Sequence, residues 1–242
     1  MQMLRVQDLV ADTGRTPLVV GPAKLARPRA LAPAAPPAPV GGTAKRALDL
    51  GLVLLGLLLL WPLILGLVVL LKAMDSGPVL YGHRRVGLGG REFRCWKFRT
   101  MVVDGDAVLE RHLRENPAEA LIWKEQRKLV NDPRVTPLGA VLRKLSLDEL
   151  PQLLNVLKGE MSLVGPRPVV QAELDHYGPS ARHYLAARPG LTGLWQISGR
   201  SDTTYAERVR LDRFYVMNWN LWRDLRIIFL TIPAVALSRG AH

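Results

Sequence analysis

A run of 22 consecutive uncharged residues, Leu50 to Leu71 (LGLVLLGLLLLWPLILGLVVLL), constrains this chain more than any other feature. At ~1.5 Å per residue, a straight helix of that size reaches about 33 Å, enough to cross the hydrocarbon core of a bilayer. A buried helix of a water-soluble domain rarely runs so far without a polar side chain, so the segment is expected in a membrane. Pro62 stands near its middle, where it removes one main-chain hydrogen bond and crowds the preceding turn. Basic residues flank both ends: Lys45 and Arg46 before it, then Lys72, Arg84, Arg85, Arg91 and Arg94 after it. A simple span would leave one of these clusters on the outer face, against the tendency of positive charge to stay inside. A helix kinked at Pro62 that enters and leaves by the same leaflet satisfies both clusters. An ordinary transmembrane helix with a mild kink is the competing reading.

The flanking segments differ in kind. Residues 1–44 read as a tail, because Arg27 to Gly42 (RPRALAPAAPPAPVGG) offers few side chains able to build a core. The tail lacks the apolar block and cleavage site of a signal peptide, so export is not expected. Residues 45–73 form the expected membrane helix, and residues 74–242 a globular domain. This domain reads as α/β, mostly helical with a small β-hairpin: Pro78 to Arg85 and Glu92 to Met101, joined by a turn at Gly87 to Gly90. The turn's glycines have no following helix and so do not make a nucleotide-binding loop. Helices are expected at 104–113, 118–129, 138–144, 148–157 and 205–219. A last apolar stretch, Leu225 to Leu237, is too short to span and is expected to pack on the domain or lie amphipathically at the interface.

Composition narrows the partners. Lys and Arg number 33 against 21 Asp and Glu, a formal net charge of +12, which implies an anionic partner. Aromatics make up 6%, with no base-stacking signature or Cys/His finger, which disfavours nucleic acid and leaves anionic lipid or a phosphorylated substrate. One cysteine, Cys95, allows no internal disulfide and reads as packing rather than as a nucleophile. The histidines show no zinc spacing, and there is neither a P-loop nor a nucleophile elbow.

The candidate chemistry begins at Ser146-Leu-Asp-Glu-Leu-Pro-Gln. Ser146 and Glu149 have the spacing of a capping box, and Pro151 is tolerated only near a helix start. Asp148 and Glu149 would then occupy a first helical turn, where the dipole favours the ionised carboxylate that a nucleophile or metal ligand must be. Acidic residues at a helix start are more often plain caps, so the surroundings decide. Arg143 and Lys144 precede the pair, and Gly165-Pro-Arg-Pro168 follows it, with prolines aiming Arg167. Lys97, Arg99 and Arg188 are three further candidates for holding phosphate, although any single arginine has a plain reading as a surface charge. Carboxylates among such cations, beside a membrane segment, point to phosphoryl transfer with a divalent cation. Hard oxygen ligands suit Mg²⁺.

Several motifs occur in order: Lys45-Arg46 before a Pro-broken apolar segment, Lys97-Phe-Arg-Thr-Met101, Asp132-Pro-Arg-Val-Thr136, Leu142 to Gln152 (LRKLSLDELPQ), Asn155-Val-Leu-Lys-Gly159 and Met161 to Pro168 (MSLVGPRP). Together they resemble the bacterial sugar transferases, the monotopic phosphoglycosyl transferases, from about residue 45 to the C-terminus. The resemblance implies a membrane-associated catalytic domain at 74–242, on the cytoplasmic face of the bacterial inner membrane, with a re-entrant helix. It implies transfer of a sugar phosphate from a UDP-sugar to polyprenol (undecaprenyl) phosphate. Asp148 would form a covalent intermediate, Glu149 would help place Mg²⁺, and Arg143 and Arg167 would hold phosphates. Arg188 to Arg200 and Glu207 to Asp212 resemble the members that start exopolysaccharide synthesis, commonly from UDP-glucose or UDP-galactose. Trp61 beside Pro62, and Glu160 where an Asp is common, depart from the usual pattern. A non-catalytic membrane adaptor is the rival reading, and a homodimer is a further partner to test.

Overall fold

The computed structural model describes residues 38–74, 76–126, 129, 131–198 and 204–236, so most of the expected tail lies outside the described residues. Helix α1, Gly42–Met74, is continuous through Pro62 and starts three residues before the expected boundary. Among the described residues it is the one helix long and apolar enough to cross a membrane. One stripe of α1 is buried: Lys45, Asp49, Val53, Leu67 and Leu71. Steps of four residues, with one longer step of close to four helical turns between Val53 and Leu67, place them on one face. Leu58, Leu59 and Trp61 on the remaining surface are 70%, 68% and 58% exposed, an apolar face left open by the described residues.

The buried stripe docks α1 on the domain along both halves. Near its start, the Lys45 ammonium meets Asp224 Oδ2 at 2.6 Å, with both side chains almost fully buried. Tyr215 and Trp219 complete the shell of Asp224 by donating to it at 2.7 and 3.0 Å. Asp49 accepts from the Ser162 hydroxyl at 2.8 Å and the Leu163 amide at 3.0 Å. Arg46 donates to the carbonyls of Val156 and Leu157. In the second half, Leu67 and Leu71 pack with Phe98 and Leu142, and with Leu147 and Leu150 at the margin. The two basic residues that precede the apolar run are thus engaged by the protein itself.

The hairpin forms as expected: β1 (Leu80–Val86) and β2 (Glu92–Phe98) pair antiparallel, with Tyr81 opposite Lys97 and His83 opposite Cys95. Helices α2 (Gly105–Glu115), α3 (Pro117–Gln126) and α4 (Pro137–Lys144) follow. α4 starts where Thr136 accepts the Gly139 amide at 2.9 Å and Pro137 fills the first position. The helix expected at 148–157 is corrected: residues Leu147–Glu149 form a short 3₁₀ turn, and α5 runs only over Gln152–Lys158. Pro151 explains the break, since it has no amide to continue the ladder. Two short strands, β3 (Ser162–Val164) and β4 (Gly190–Thr192), pair in parallel. A side chain at Gly190 would overlap the Gly165 amide, so only glycine permits this approach.

The C-terminal region holds α6 (Gln171–Leu174), α7 (Ala181–Leu185), α8 (Leu194–Ile197), α9 (Tyr205–Met217) and α10 (Leu221–Ala236). α9 and α10 close one core around Val164, Leu194, Leu211, Tyr215 and Ile227. α10 packs on the domain through Asp224 and Ile227 while Trp222 and Phe229 face outward. Replacing Lys45 with Met strands a buried Asp224 carboxylate, which should cost about 3–5 kcal/mol. Thermal unfolding in detergent is expected to show that loss for Lys45→Met, and a change within about 0.5 kcal/mol for the exposed Lys72→Met. Equal effects of the two substitutions would contradict the assignment of Lys45 as the buried clamp.

Candidate active site

Lys97, the penultimate residue of β2, reaches the 3₁₀ turn and bridges both acidic side chains. Its ammonium lies 2.6 Å from Glu149 Oε1 and 3.3 Å from Asp148 Oδ2. Asp148 is 7% exposed. The turn is made by Ser146 in the left-handed region (φ 55°), whose carbonyl accepts the Glu149 amide at 3.3 Å. The expected capping box is therefore absent. A cap needs extended backbone at the capping residue, and the Ser146 side chain accepts no such bond.

The charge on Asp148 is accordingly set by its neighbours and not by a helix terminus. Burial raises its pKa above the ordinary carboxylate value, Lys97 opposes this, and Glu149 adds to the rise. For Lys97, burial works to depress the ammonium, but Glu149 and then Asp148 outweigh it and hold its pKa above normal. The result is a cation shared by two carboxylates at the edge of the apolar helix, since Leu147 and Leu150 flank the pair and pack towards Leu67 and Leu71. Arg143 adds positive potential at Asp148 and is oriented by its Nε donating to the Thr100 hydroxyl at 2.9 Å.

The other predicted cations are engaged elsewhere. Arg99 follows β2 and lies against Gly77. Arg167 stacks over Trp195 at 5.1 Å, and its main-chain amide donates to Asp212. Burial pushes the Asp212 carboxyl up to about 7, against the Tyr177 hydroxyl that donates to it at 2.9 Å. Arg188 donates to the Gly159 carbonyl at 2.8 Å, beside the α5 carbonyls taken by Arg46, so the two guanidiniums satisfy the end of that helix. Cys95 is buried, and burial pushes its thiol up to about 11. Pro62 lies on an exposed part of α1.

Three contributors escaped sequence reading. Thr100 aims Arg143. Asn155 holds β2 in place by accepting the Trp96 amide at 3.0 Å and donating to the Arg94 carbonyl at 2.7 Å and to Glu160 at 2.6 Å. Asp49 was hidden by standing one residue before the uncharged run.

Comparison with known proteins fits this geometry. Residues 40–238 match the profile of the family described as bacterial sugar transferase. The chain belongs to the bacterial sugar transferase family. Like its relatives, it is a transferase enzyme. It is 59% identical over 204 residues to the exopolysaccharide production protein ExoY of Rhizobium meliloti, covering 84% of this chain and 90% of that one. A UDP-glucose:undecaprenyl-phosphate glucose-1-phosphate transferase of Caulobacter vibrioides is 42% identical over 206 residues, 82% of this chain and 72% of the relative. The undecaprenyl-phosphate galactose phosphotransferase of Salmonella typhimurium is 52% identical over 168 residues, 69% of this chain and 35% of that longer protein. Within this family the resemblance is to the exopolysaccharide type, and α1 makes the sugar transferase membrane-associated.

Because Lys97 lowers the Asp148 pKa, removing it should leave the carboxyl protonated to higher pH. Activity carried by the carboxylate is lost as pH falls through that pKa. The acid limb of the pH–rate profile of Lys97→Met is therefore expected above that of the wild type. An unmoved or lowered limb would contradict the coupling.

Proposed function

We propose that this sugar transferase moves hexose-1-phosphate from a UDP-sugar, with glucose or galactose as the sugar, to undecaprenyl phosphate, starting exopolysaccharide synthesis. The observation that carries the proposal is the buried Asp148 carboxylate, facing Lys97 on a turn that packs towards the apolar helix. A carboxylate oxygen of Asp148 attacks the phosphorus that bears the sugar. The bond from that phosphorus to the bridging oxygen breaks, and UMP leaves with the electron pair. An oxygen of polyprenol phosphate then attacks the same phosphorus, the bond to Asp148 breaks, and the carboxylate is restored. One phosphoanhydride replaces another, so positioning and charge stabilisation supply the catalysis. Lys97 and Arg143 balance the charge of the transferred group, and the prolines around Arg167 fix the backbone that carries its guanidinium, which holds the donor phosphates. Lys97 leaves Asp148 for the phosphate as the donor arrives.

Two carboxylates sharing one ammonium keep a net negative charge and offer hard oxygen ligands, which fits Mg²⁺. Among the described residues no third acidic, His or Cys side chain joins them, so phosphate oxygens and water would complete the shell. Asp148 and Glu149 would hold a bound Mg²⁺, which would supply charge neutralisation at the phosphates.

The packing of both halves of α1 on one domain supports a re-entrant helix, because a bilayer cannot separate two ends that touch the same body. On this reading the catalytic domain works at the cytoplasmic face of the inner membrane, where UDP-sugars are made. The adaptor reading is not favoured, since an adaptor has no use for a buried carboxylate neutralised by a dedicated lysine.

Incubating the enzyme with UDP-sugar and no acceptor should leave a hexosyl phosphate on Asp148, detectable by mass spectrometry of its peptides. Asp148→Asn should show neither adduct nor transfer, a fall of at least about 10³-fold. Transfer retained in that variant would overturn the assignment.

A further inference from the structure

Two side chains beside Lys97 take no part in the mechanism above. The hairpin register sets Tyr81 directly opposite Lys97 and His83 opposite Cys95. Alternation along each strand puts Tyr81, His83, Cys95 and Lys97 on one face of the hairpin. Directly opposed residues have Cβ atoms about 5 Å apart, so Tyr81 is the closest cross-strand neighbour of the lysine that grips Asp148 and Glu149. Tyr81, the second residue of β1, is 56% exposed and so open to a ligand at the end of the hairpin that carries Lys97. It stacks on the His83 imidazole with centroids 6.3 Å apart and planes inclined by 25°.

The Nδ1 of His83 is shielded from solvent and has no hydrogen-bond partner among the described residues. Shielded polar atoms are rarely left unpaired, and those that are left call for an explanation. Burial first, then the nearby Arg85, lowers the His83 pKa below its ordinary value, so the ring is neutral at physiological pH. A neutral imidazole offers one donor and one acceptor, whereas a phosphate can only accept. A partner able both to donate and to accept is a hydroxyl. A pyranose also presents a face of C–H bonds, which suits the negative face of an exposed aromatic ring.

We infer that Tyr81 and His83 read the hexose of the nucleotide donor, Tyr81 carrying the face of the sugar ring and His83 hydrogen-bonding one of its hydroxyls. This rests on the proposed transfer reaction. In that reaction the sugar is bonded to the phosphorus that Asp148 attacks, so it must sit within one ring's width of the Lys97–Asp148 contact. The uracil is separated from that point by a second phosphate and a ribose. The residues next to Lys97 therefore meet the sugar before they meet the base.

The test uses the full chain in lipid nanodiscs with UDP-glucose, UDP-galactose and UMP as probes. UMP release gives kcat/KM for each donor in the wild type and in His83→Ala, His83→Gln and Tyr81→Ala, and inhibition by UMP is measured in parallel. His83→Ala is expected to lower kcat/KM for the preferred sugar by roughly tenfold and to compress its ratio to the epimer, the size of one lost hydrogen bond. His83→Gln, which keeps a donor and an acceptor, should recover part of that ratio. Tyr81→Ala should lower kcat/KM for both sugars while UMP inhibits with unchanged potency. Preserved UMP inhibition also shows that a variant has folded. An unchanged epimer ratio in both His83 variants, or UMP inhibition weakened in step with kcat/KM, would overturn the inference, the latter by assigning these residues to the nucleotide. A wild type that releases no UMP from any UDP-sugar removes the transfer reading itself, and the inference with it.

Discussion

The docking of helix α1 along the globular domain is the contact on which every other part of the site depends. A helix whose outer face bears Leu58, Leu59 and Trp61 has to meet lipid, while the face bearing Lys45, Asp49 and Val53 is sealed by protein. The Lys45–Asp224 pair is worth keeping in such a place only because Tyr215 and Trp219 satisfy the remaining acceptor capacity of the carboxylate. A buried ion pair without those donors would cost more in lost hydration than it returned in attraction. With them, the start of α1 is tied to α10, and the end of α1 is tied by Leu67 and Leu71 to the residues around the 3₁₀ turn that bears Asp148. Asp148 is thus carried at a fixed position relative to the apolar helix.

Charge is spent very unevenly across this basic chain. A surplus of +12 suggests attraction to anionic lipid, yet several of the cations most suggestive in the sequence have structural work to do. Arg46 and Arg188 satisfy the carbonyl end of α5, which carries Asn155, and Asn155 in turn fixes the strand from which Lys97 projects. Lys45 is buried, and the Arg167 main chain is held by Asp212. Lys97 is placed in direct contact with both acidic residues of the turn. Its raised pKa keeps it charged, and its charge moderates the rise that burial imposes on Asp148.

Much of this was legible in the sequence where local chemistry dictates the outcome. The hairpin, α4 with its Thr136 cap and Pro137, and α9 behind Thr204 follow from residue types within a few positions. Asp148 and Glu149 stood out as a pair, and the motif order carried the family. What was not legible depends on residues far apart in the chain. The capping box at Ser146 failed because Asp148 and Glu149 answer to Lys97, some 50 residues earlier, and Pro151 resets the helix start. Strands β3 and β4 are three residues each and pair across 28 positions, so no local pattern announces them. The role of Arg188 as a helix-end donor could not be told from phosphate binding, since a guanidinium serves either purpose.

The most direct measurement of the central claim is the sidedness of the two ends of α1. Cys95 is buried and poorly reactive, so single cysteines placed by Thr43→Cys and Met74→Cys, both exposed positions, can be labelled without removing it. A membrane-impermeant maleimide applied to either face of sealed vesicles is predicted to reach both positions from the cytoplasmic face and neither from the other. Labelling of one position from each face would show that α1 crosses the bilayer, and would contradict a helix docked along its length on one domain.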